Sequence, residues 1–526
     1  MVDAATLFQP NGAMEQWSRV TNPRSRKNSR RLPHPTYTIE RKFCMEDPIL
    51  FWNEVALEAN RLDHTGAMEA EHQRGPTRSS RALAIVHLAM HDAFFSVAGV
   101  AAIPGPGPSP KNLYLLSPPA WSGGNSPVKR SAAVSGAAAT MLCTLYSGMR
   151  ARIEEKLAEI SGKNGTEDRA FSFGRRVALA VLDSRKNDEK VVPKDEDYIS
   201  SPSRLRHRVD PCNATQGYLG VGYGNTPSLA VTTWQALDPP PQESSPGYKD
   251  DYKEVYKLGG APELTTTTRT PEQTAIGHYW AYDGANKIGT PPRLYNQIIR
   301  EVAKTKGNTT EQNARLFALI NCAMGDAGIQ AWHWKYCFDL WRPVVGIRED
   351  DPSTGPAATA DKKITPPCDP FWKPLGAPRS NELKAAFTPP FPAYPSGHAT
   401  FGAATFEMVR LFYAHTDPKT EDNIGFTLVS DELNGTTTDG DGSIRTRHLR
   451  KYDSMAEAMY DNSVSRVFLG VHWRFDGTSG ENVTKMLKAT DRIGGVPLGR
   501  AIAKNIIDTG MRQQAIVPIP PTNTCI

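Results

Sequence analysis

The sequence lacks the features that mark a membrane, secreted or zinc-ribbon protein. No stretch of about 18 uncharged apolar residues occurs, because the most apolar run, residues 82–103, contains two histidines and an aspartate, and we expect no membrane span. The first residues, MVDAATLFQPNG, have neither the charged nor the apolar region of a signal peptide. We therefore expect a soluble protein, and the sequence does not decide between export and the cytoplasm. The seven cysteines form no C-x-x-C pair, which argues against a zinc ribbon or a thioredoxin-type centre.

Strong net charge is also missing. The chain has 526 residues, of which 61 are basic and 56 acidic, so the formal net charge is +5. Much of the basic excess lies in residues 24–42, and we interpret residues 1–47 as a solvated N-terminal extension. No nucleic-acid-binding motif accompanies these residues, so we expect no nucleic-acid partner.

Alternating strand patterns are scarce, whereas helical periodicity is frequent. Residues 49–64 and 79–97 are examples, and Ser79 or Ser80 is a candidate N-cap of the second. Residues 187–254 are rich in Pro, Asp and Tyr and show little periodicity, so we interpret them as the best candidate for a join between the two halves of the chain. The pattern predicts a mainly α protein with two helical bundles and long loops, and it allows a short hairpin. The predicted organisation is a basic extension (1–47), an N-terminal helical bundle with long loops (48–262), a C-terminal helical bundle (263–500) and a C-terminal tail (501–526).

Two histidines of the second predicted helix share one face. His87 and His91 are four residues apart, and Asp92 follows directly. Metal ligation is conceivable for such a pair, but no third ligand is evident nearby. We therefore favour a polar contact between packed helices.

The first of three clusters in the second half of the chain is rich in cations and tryptophan. Lys335 and Arg342 are seven residues apart, which is about two helical turns, so we expect them to project from one face. Pro343 disfavours helix at Arg342 and is expected to end the element there. Two neighbouring cations repel each other unless an anion lies between them, so this pair favours an anion site.

The second cluster is the segment PAYPSGH, residues 392–398. Apolar residues recur at helical spacing after it, so Ser396-Gly397-His398 is predicted to lie at a helix start. Free backbone N–H groups and the positive end of the helix dipole favour an anion there, and Gly397 permits a close backbone approach. A turn that only caps the helix is the alternative.

The third cluster contains Arg466, His472 and Asp476 in the segment SRVFLGVHWRFD. We interpret this segment as helical, with His472 and Asp476 four residues apart. The carboxylate can then hold one ring nitrogen and fix the tautomer, which leaves the other nitrogen as a nucleophile or metal ligand. A satisfied core histidine is the alternative.

Together the three clusters supply two arginines, a lysine, a serine, a glycine amide and two histidines. This set suits a tetrahedral oxyanion, because guanidinium groups bind its oxygens in pairs and a lysine adds a point charge. One histidine would attack or coordinate the central atom while the other transfers protons. These residues therefore predict a binding site for phosphate or for a phosphate-like metal oxyanion, and they do not distinguish between the two ligands.

The patterns Lys-x6-Arg-Pro, Pro-Ser-Gly-His and Ser-Arg-x5-His-x3-Asp resemble the three signature motifs that vanadium-dependent haloperoxidases share with type 2 phosphatidic acid phosphatases. Further segments look like the fungal chloroperoxidase branch of the haloperoxidases: FWNEVALEANRLDHT, ALAIVHLAMHDAFFS, YWAYDGANKIGTPPRLYNQI, PPFPAYPSGHATFG and RVFLGVHWRFDG. The resemblance covers roughly residues 48–500. It implies a haloperoxidase/acid-phosphatase-like fold of two four-helix bundles with long loops, in which the second bundle carries the site.

The resemblance implies a vanadate cofactor. His472 would coordinate vanadium, and His398 would bond to the apical oxygen and act as the acid–base group. The equatorial oxygens would be held by Lys335, Arg342, Ser396, the amide of Gly397, and Arg466.

Three more residues match the family outside the vanadate ligands. Asp283 matches a carboxylate that pairs with the arginine at the position of Arg466. Trp332 and Phe391 match the aromatic pair on the halide side of the pocket. The resemblance therefore implies a halide pocket next to the vanadate site.

The implied reaction oxidises bromide, and chloride as well, with hydrogen peroxide to hypohalous acid by way of a peroxovanadate. A small organic acceptor is then halogenated. Vanadium acts as a Lewis acid and keeps its oxidation state, and Lys335 would polarise the peroxide. An acid phosphatase of the same superfamily, with His472 as nucleophile, is the alternative, and a non-enzymatic interaction protein is a weaker one. The sequence determines neither oligomeric state nor disulfide pairing.

Overall fold

The computed structural model describes residues 47–65, 72–103, 112–164, 168–190, 193–349, 368–413, 417 and 419–514. The predicted basic extension, residues 1–47, lies outside these described residues except for Asp47. That residue caps the first helix, because its carboxylate accepts hydrogen bonds from the N–H groups of Ile49 (2.8 Å) and Leu50 (3.2 Å).

Helices dominate the described residues, so the prediction of a mainly α fold is confirmed. The α-helices are α1 (Pro48–Asp63), α2 (Gly75–Ala98), α3 (Pro127–Leu145), α4 (Arg150–Asn164), α5 (Asp168–Ser184), α6 (Pro246–Leu258), α7 (Pro271–Tyr279), α8 (Pro291–Lys306), α9 (Thr310–Phe338), α10 (Pro343–Arg348), α11 (Gly397–Phe412), α12 (Met455–Phe468), α13 (Val483–Lys488) and α14 (Gly495–Thr509). One antiparallel hairpin pairs β1 (Phe426–Val429) with β2 (Leu449–Tyr452).

The first group of helices contains α2, α3 and α5. α3 and α5 pack closely because each presents a glycine to the backbone of the other. A Cβ atom at Gly136 would lie 2.1 Å from the carbonyl oxygen of Phe171, and one at Gly174 would lie 1.9 Å from that of Ala133. Among the helices of the described residues, α2 is the one that is long and apolar enough to cross a membrane by length and composition. However, 89% of its apolar window is buried inside the protein.

The second group of helices is centred on α11. This helix packs against α14, α9, α12 and α8. α9 contacts α2 on one side and α11 on the other, so it lies between the two groups. The N-terminus of α11 is buried at the centre of the second group, and the predicted anion site lies there.

A buried polar network joins α1, α2, α8 and α9. His87 Nδ1 donates to the carbonyl of Leu83 (2.7 Å), and its Nε2 accepts from the side chain of Asn53 (3.0 Å). Asn53 also donates to Asn296, which exchanges hydrogen bonds with Asn321 at 2.8 and 2.9 Å. The prediction that His87 makes a polar contact between packed helices is therefore confirmed.

One predicted helix boundary is wrong. α2 begins at Gly75 and not near Ser79, because Pro76 suits the first turn of a helix. Residues 187–254, the predicted join between the halves, contain the beginning of α6, which Ser245 caps. The domain limits stay predictions.

Candidate functional site

Three segments of the chain meet at the N-terminus of α11. The N–H of Ser396, which precedes this helix, donates to the carbonyl of Asp476 (2.7 Å). Arg342 joins the same region to the end of α9, because its Nε donates to the carbonyl of Phe391 and its Nη1 to that of Val471, both at 2.8 Å. The structure therefore brings the three predicted clusters together.

The end of α9 shows that one prediction is wrong, namely that Lys335 and Arg342 project from the same face of one helix. α9 ends at Phe338, and Asp339 has a left-handed conformation (φ 52°), so Arg342 does not share a helical face with Lys335. Arg342 instead precedes α10, whose first residue is Pro343. The proline begins a helix and does not end one, which is a common position for it. The two cations meet because the chain changes direction at Asp339.

Lys335 is fully buried in the last turn of α9. Its ammonium donates to the carbonyls of Pro392 (2.8 Å) and Ala393 (3.0 Å), and lies 5.1 Å from the ring centre of Phe391. Burial and the nearby Arg342 guanidinium hold the pKa of Lys335 well below its ordinary value. An anion beside the ammonium would oppose this shift.

Both arginines of the predicted site are buried, and each keeps one N–H group without a partner. Nη2 of Arg342 and Nε of Arg466 have no hydrogen-bond acceptor in the described part of the chain. The two terminal nitrogens of Arg466 bind the two oxygens of Asp283 at 2.7 and 3.0 Å. Burial lowers the pKa of Arg342 to about 9. Buried donors without acceptors are costly, so they indicate where a ligand would bind.

His472 presents one neutral ring nitrogen to this group of cations. Its Nε2 lies 2.9 Å from Nη1 of Arg342, which can only donate, so Nε2 is unprotonated. Nδ1 carries the proton and donates it to Oδ2 of Asp476 (2.8 Å), which also accepts from the N–H of Trp473 (3.0 Å). Burial, with Arg342 and Lys335 nearby, keeps the pKa of His472 well below its ordinary value.

The helix predicted around this histidine is wrong, although its pairing with Asp476 is confirmed. α12 ends at Phe468, and His472 lies in the turn that follows. Asp476 is the last residue of a 3-10 turn, Arg474–Asp476. The four-residue spacing therefore brings the two side chains together through a turn and not along a helix.

His398 lies in the first turn of α11. Its Nε2 is 2.6 Å from the carbonyl of Ala281, so in the neutral ring Nε2 carries the proton and Nδ1 does not. Burial and the Arg466 guanidinium lower the pKa of His398 to about 3. The structure thus fixes which nitrogen of this histidine can accept a proton.

Trp332 and Phe391 form an aromatic wall beside the start of α11. Their ring centres are 4.8 Å apart, and the ammonium of Lys335 lies 5.6 and 5.1 Å from them. A Cβ atom at Gly397 would lie 3.2 Å from the Trp332 ring, so glycine lets the wall and the helix start approach each other. Ser396 is fully buried and caps α11 through its hydroxyl.

These side chains fit an anionic metal oxide better than a bare cation. Lys335, Arg342 and Arg466 lie near the neutral ring nitrogen of His472. Two of these three cations have guanidinium N–H groups without an acceptor in the described residues. Within the described ranges, no group of three or more His, Cys, Asp or Glu side chains could hold a metal cation. A tetrahedral oxyanion, whose oxygens take the N–H groups and whose centre takes the imidazole, satisfies the set. Vanadate and phosphate both have this chemistry.

Proteins of one family resemble the chain over most of its length. Two family models match it: "Vanadium chloroperoxidase N-terminal domain" over residues 40–216 and "VCPO second helical-bundle domain" over residues 315–492. The vanadium chloroperoxidase of Curvularia inaequalis is 35% identical over an alignment of 586 positions, gaps included, which spans 90% of this chain and 90% of that protein. The chain belongs to the vanadium haloperoxidase family.

Bacterial haloperoxidases share the fold of this haloperoxidase at lower identity. A bacterial vanadium-dependent iodoperoxidase is 17% identical with a TM-score of 0.61, over 90% of this chain and 98% of that chain. A holo-type bacterial vanadium-dependent chloroperoxidase is 16% identical with a TM-score of 0.53, over 87% of this chain and 98% of that chain. At these identities the likeness concerns the fold alone.

One cavity of this haloperoxidase contains the predicted site. Its volume is about 350 Å³, and its wall includes Asp283, Trp332, Phe391, Gly397, His398, Arg466 and His472. Lys335, Arg342 and Ser396 lie buried behind that wall, with at most 1% of each exposed. A larger cavity of about 610 Å³, between α1, α4 and α8, contains none of the predicted site residues.

Several residues at this cavity were not predicted from the sequence. His64, Arg74 and Arg379 also line it. The carbonyl of Ala281, which fixes the tautomer of His398, was missed as well. His64 and Ala281 lie in segments that resemble the family but were given no role, whereas Arg74 and Arg379 lie in no quoted segment.

Proposed function

We propose that this haloperoxidase binds vanadate between Lys335, Arg342 and Arg466, and oxidises bromide and chloride with hydrogen peroxide to hypohalous acid. The observation that carries the proposal is the position of His472. Its neutral Nε2 lies among buried cations, and two of these have N–H groups without acceptors. Membership of the family supports vanadate over phosphate, because the relative from Curvularia inaequalis is a vanadium chloroperoxidase.

The binding roles follow from these positions. Nε2 of His472 would coordinate vanadium, because Nδ1 is already committed to Asp476. The oxygens would be held by Lys335, Arg342, Arg466, the hydroxyl of Ser396 and the amide of Gly397. Bound vanadate would supply a Lewis acid that activates peroxide towards a halide.

His398 would accept a proton from hydrogen peroxide. Its Nε2–H is held by the carbonyl of Ala281, so the acceptor is Nδ1. A pKa of about 3 keeps this ring neutral but makes it a weak base. A bound anion would raise this pKa towards the working pH, so that His398 could also return the proton.

The other predicted residues would orient and desolvate the reactants. Asp283 holds both terminal nitrogens of Arg466, which fixes the guanidinium and leaves Nε for the anion. The ammonium of Lys335 would polarise the bound peroxide. Trp332 and Phe391 offer the halide an apolar surface on which it loses water.

Bromination of phenol red tests this function. We expect protein reconstituted with orthovanadate to brominate the dye when bromide and hydrogen peroxide are present, and not when vanadate is omitted. Chloride and iodide are assayed in the same way. Hydrolysis of p-nitrophenyl phosphate without any halide oxidation, with vanadate acting only as an inhibitor, would show an acid phosphatase instead.

A further inference from the structure

The outer part of the 350 Å³ cavity carries two arginines that halide oxidation does not use. Arg74 lies just before α2, and Arg379 lies in the loop between α10 and α11. Asp283 is the single carboxylate among the described residues that line the cavity, and it is paired with Arg466. Arg379 therefore adds a positive charge that no carboxylate among the described lining residues offsets, which favours an anionic ligand.

Arg379 is the arginine that is best placed for such a guest. Its guanidinium carbon lies 4.0 Å from the ring centre of Phe387, which also lines the cavity. No hydrogen bond or carboxylate partner engages this guanidinium in the described part of the chain. Stacking on the ring orients the guanidinium but leaves its N–H groups available for a carboxylate.

The loop that carries Arg379 is held firmly in place. Ala377 and Phe387 exchange backbone hydrogen bonds at 2.8 and 3.0 Å. The next residue, Ser380, is fully buried and donates to Glu432 (2.5 Å). Glu432 also accepts from the N–H of Tyr282 (3.2 Å), which precedes Asp283. One buried carboxylate thus anchors both the loop of Arg379 and the segment that orients Arg466.

The rest of the wall is suited to an aromatic ring. The side chains that line the cavity include Tyr218, Trp332, Phe387, Pro389, Pro390, Phe391 and Phe401. Flat apolar faces of this kind bind rings by stacking and by burial of apolar area. Arg379 at the cavity entrance and the aromatic side chains inside the cavity together suit a ligand that has a carboxylate at one end and an aromatic ring at the other.

We propose that the cavity binds an aromatic carboxylate as the organic acceptor, with its carboxylate on Arg379 and its ring against the aromatic wall. This inference rests on the proposed function, which supplies hypohalous acid beside the ring. The oxygen–halogen bond of that acid breaks as a carbon–halogen bond forms, the ring carbon loses its proton, and water leaves. Halogenation then takes place on a held acceptor and not in bulk solution.

The test compares 4-hydroxybenzoate with its neutral analogue 4-hydroxybenzamide. Binding of each is measured by calorimetry on vanadate-saturated protein without peroxide, and the KM of each is measured in bromination. We expect Arg379→Gln to weaken binding of the acid relative to the amide by about tenfold or more, the usual effect of losing a charge-assisted hydrogen bond. Arg379→Lys should restore part of the preference, because it keeps the charge.

Arg176→Gln is the matched control, because Arg176 also stacks on a phenylalanine, Phe173, at 5.5 Å but lies outside the cavity. It should leave the preference for the acid unchanged. Equal binding of the acid by wild type and Arg379→Gln, or no saturation with either acceptor, would overturn this inference. Failure of the wild-type protein to oxidise iodide without any acceptor would overturn the proposed function instead.

Discussion

At the scale of single residues, the site contains buried hydrogen-bond donors that have no acceptor in the described residues. Arg342 donates to His472 Nε2, yet its Nη2 and the Nε of Arg466 find no acceptor in the described residues. Burying charges costs several kcal/mol for each ion unless they are paired and hydrogen-bonded. A bound oxyanion would supply acceptors and opposite charge together, which explains why the fold tolerates this arrangement.

Loss of the imidazole tests the metal ligand. We expect His472→Ala to lower vanadate affinity by more than about 100-fold. Removing a residue that only orients a metal ligand typically lowers affinity by about 10- to 100-fold, and His472 is the predicted ligand itself. Asp476→Asn is the comparison, because it keeps the imidazole and removes only the carboxylate that orients it. Its effect should fall within that roughly 10- to 100-fold range. Equilibrium dialysis with orthovanadate measures both, and unchanged affinity in His472→Ala would rule out this ligand.

At the scale of elements, the site depends on how closely α14 approaches the beginning of α11. A Cβ atom at Gly495 would lie 2.6 Å from the carbonyl oxygen of Ser396, and one at Gly499 would lie 2.3 Å from that of Thr400. The backbones of the two helices therefore touch beside the segment that carries Ser396 and Gly397. This contact fixes the helix start against which the anion would bind.

Gly499→Ala tests this contact between helices. The added methyl group must push the backbones apart, so we expect the free energy of unfolding to fall by about 1–3 kcal/mol, as in other overpacked cores. Gly247→Ala in α6 is the control, because a Cβ atom there meets nothing within 4 Å, and it should be neutral or slightly stabilising. Urea unfolding measures both. Equal stability of the two variants would show that α14 can move away freely.

At the scale of the whole molecule, buried polar groups hold the two helix groups in one arrangement. The network from His87 through Asn53, Asn296 and Asn321 crosses four helices. Burial lowers the pKa of His87 to about 4, so the folded protein holds this ring neutral. In the unfolded chain the same ring has its ordinary pKa of 6.5 and takes up a proton near that pH.

This difference predicts loss of stability in acid. Because the folded pKa lies below the unfolded one, the unfolded state binds the proton first as the pH falls from 6.5 to 4. The contribution of His87 to stability is therefore present above about pH 6.5 and is lost by about pH 4. His87→Gln should make the fall in unfolding free energy over this range smaller by roughly 3 kcal/mol. Denaturant unfolding at several pH values checks this, and identical profiles for both proteins would contradict it.

Much of the fold and the site could be predicted from sequence because the signals are local. Helical periodicity and the Pro-Ser-Gly-His motif placed the start of α11 correctly. The motifs named the side chains that line the cavity or lie directly behind it. The turns at Asp339 and after Phe468 were missed, because motif spacing looks the same in a helix and in a turn.

The sequence by itself determined the family, the helical class and the identity of the residues that gather at the site. Only the tertiary structure decided which nitrogen of His398 is free, and which arginine at the cavity has no carboxylate partner among the described residues. His398 takes its tautomer from Ala281, 117 positions away, and the ring nitrogen of His472 that Asp476 leaves free contacts Arg342, 130 positions away. Such partners are set by packing between distant elements, and nothing in the neighbouring residues encodes them.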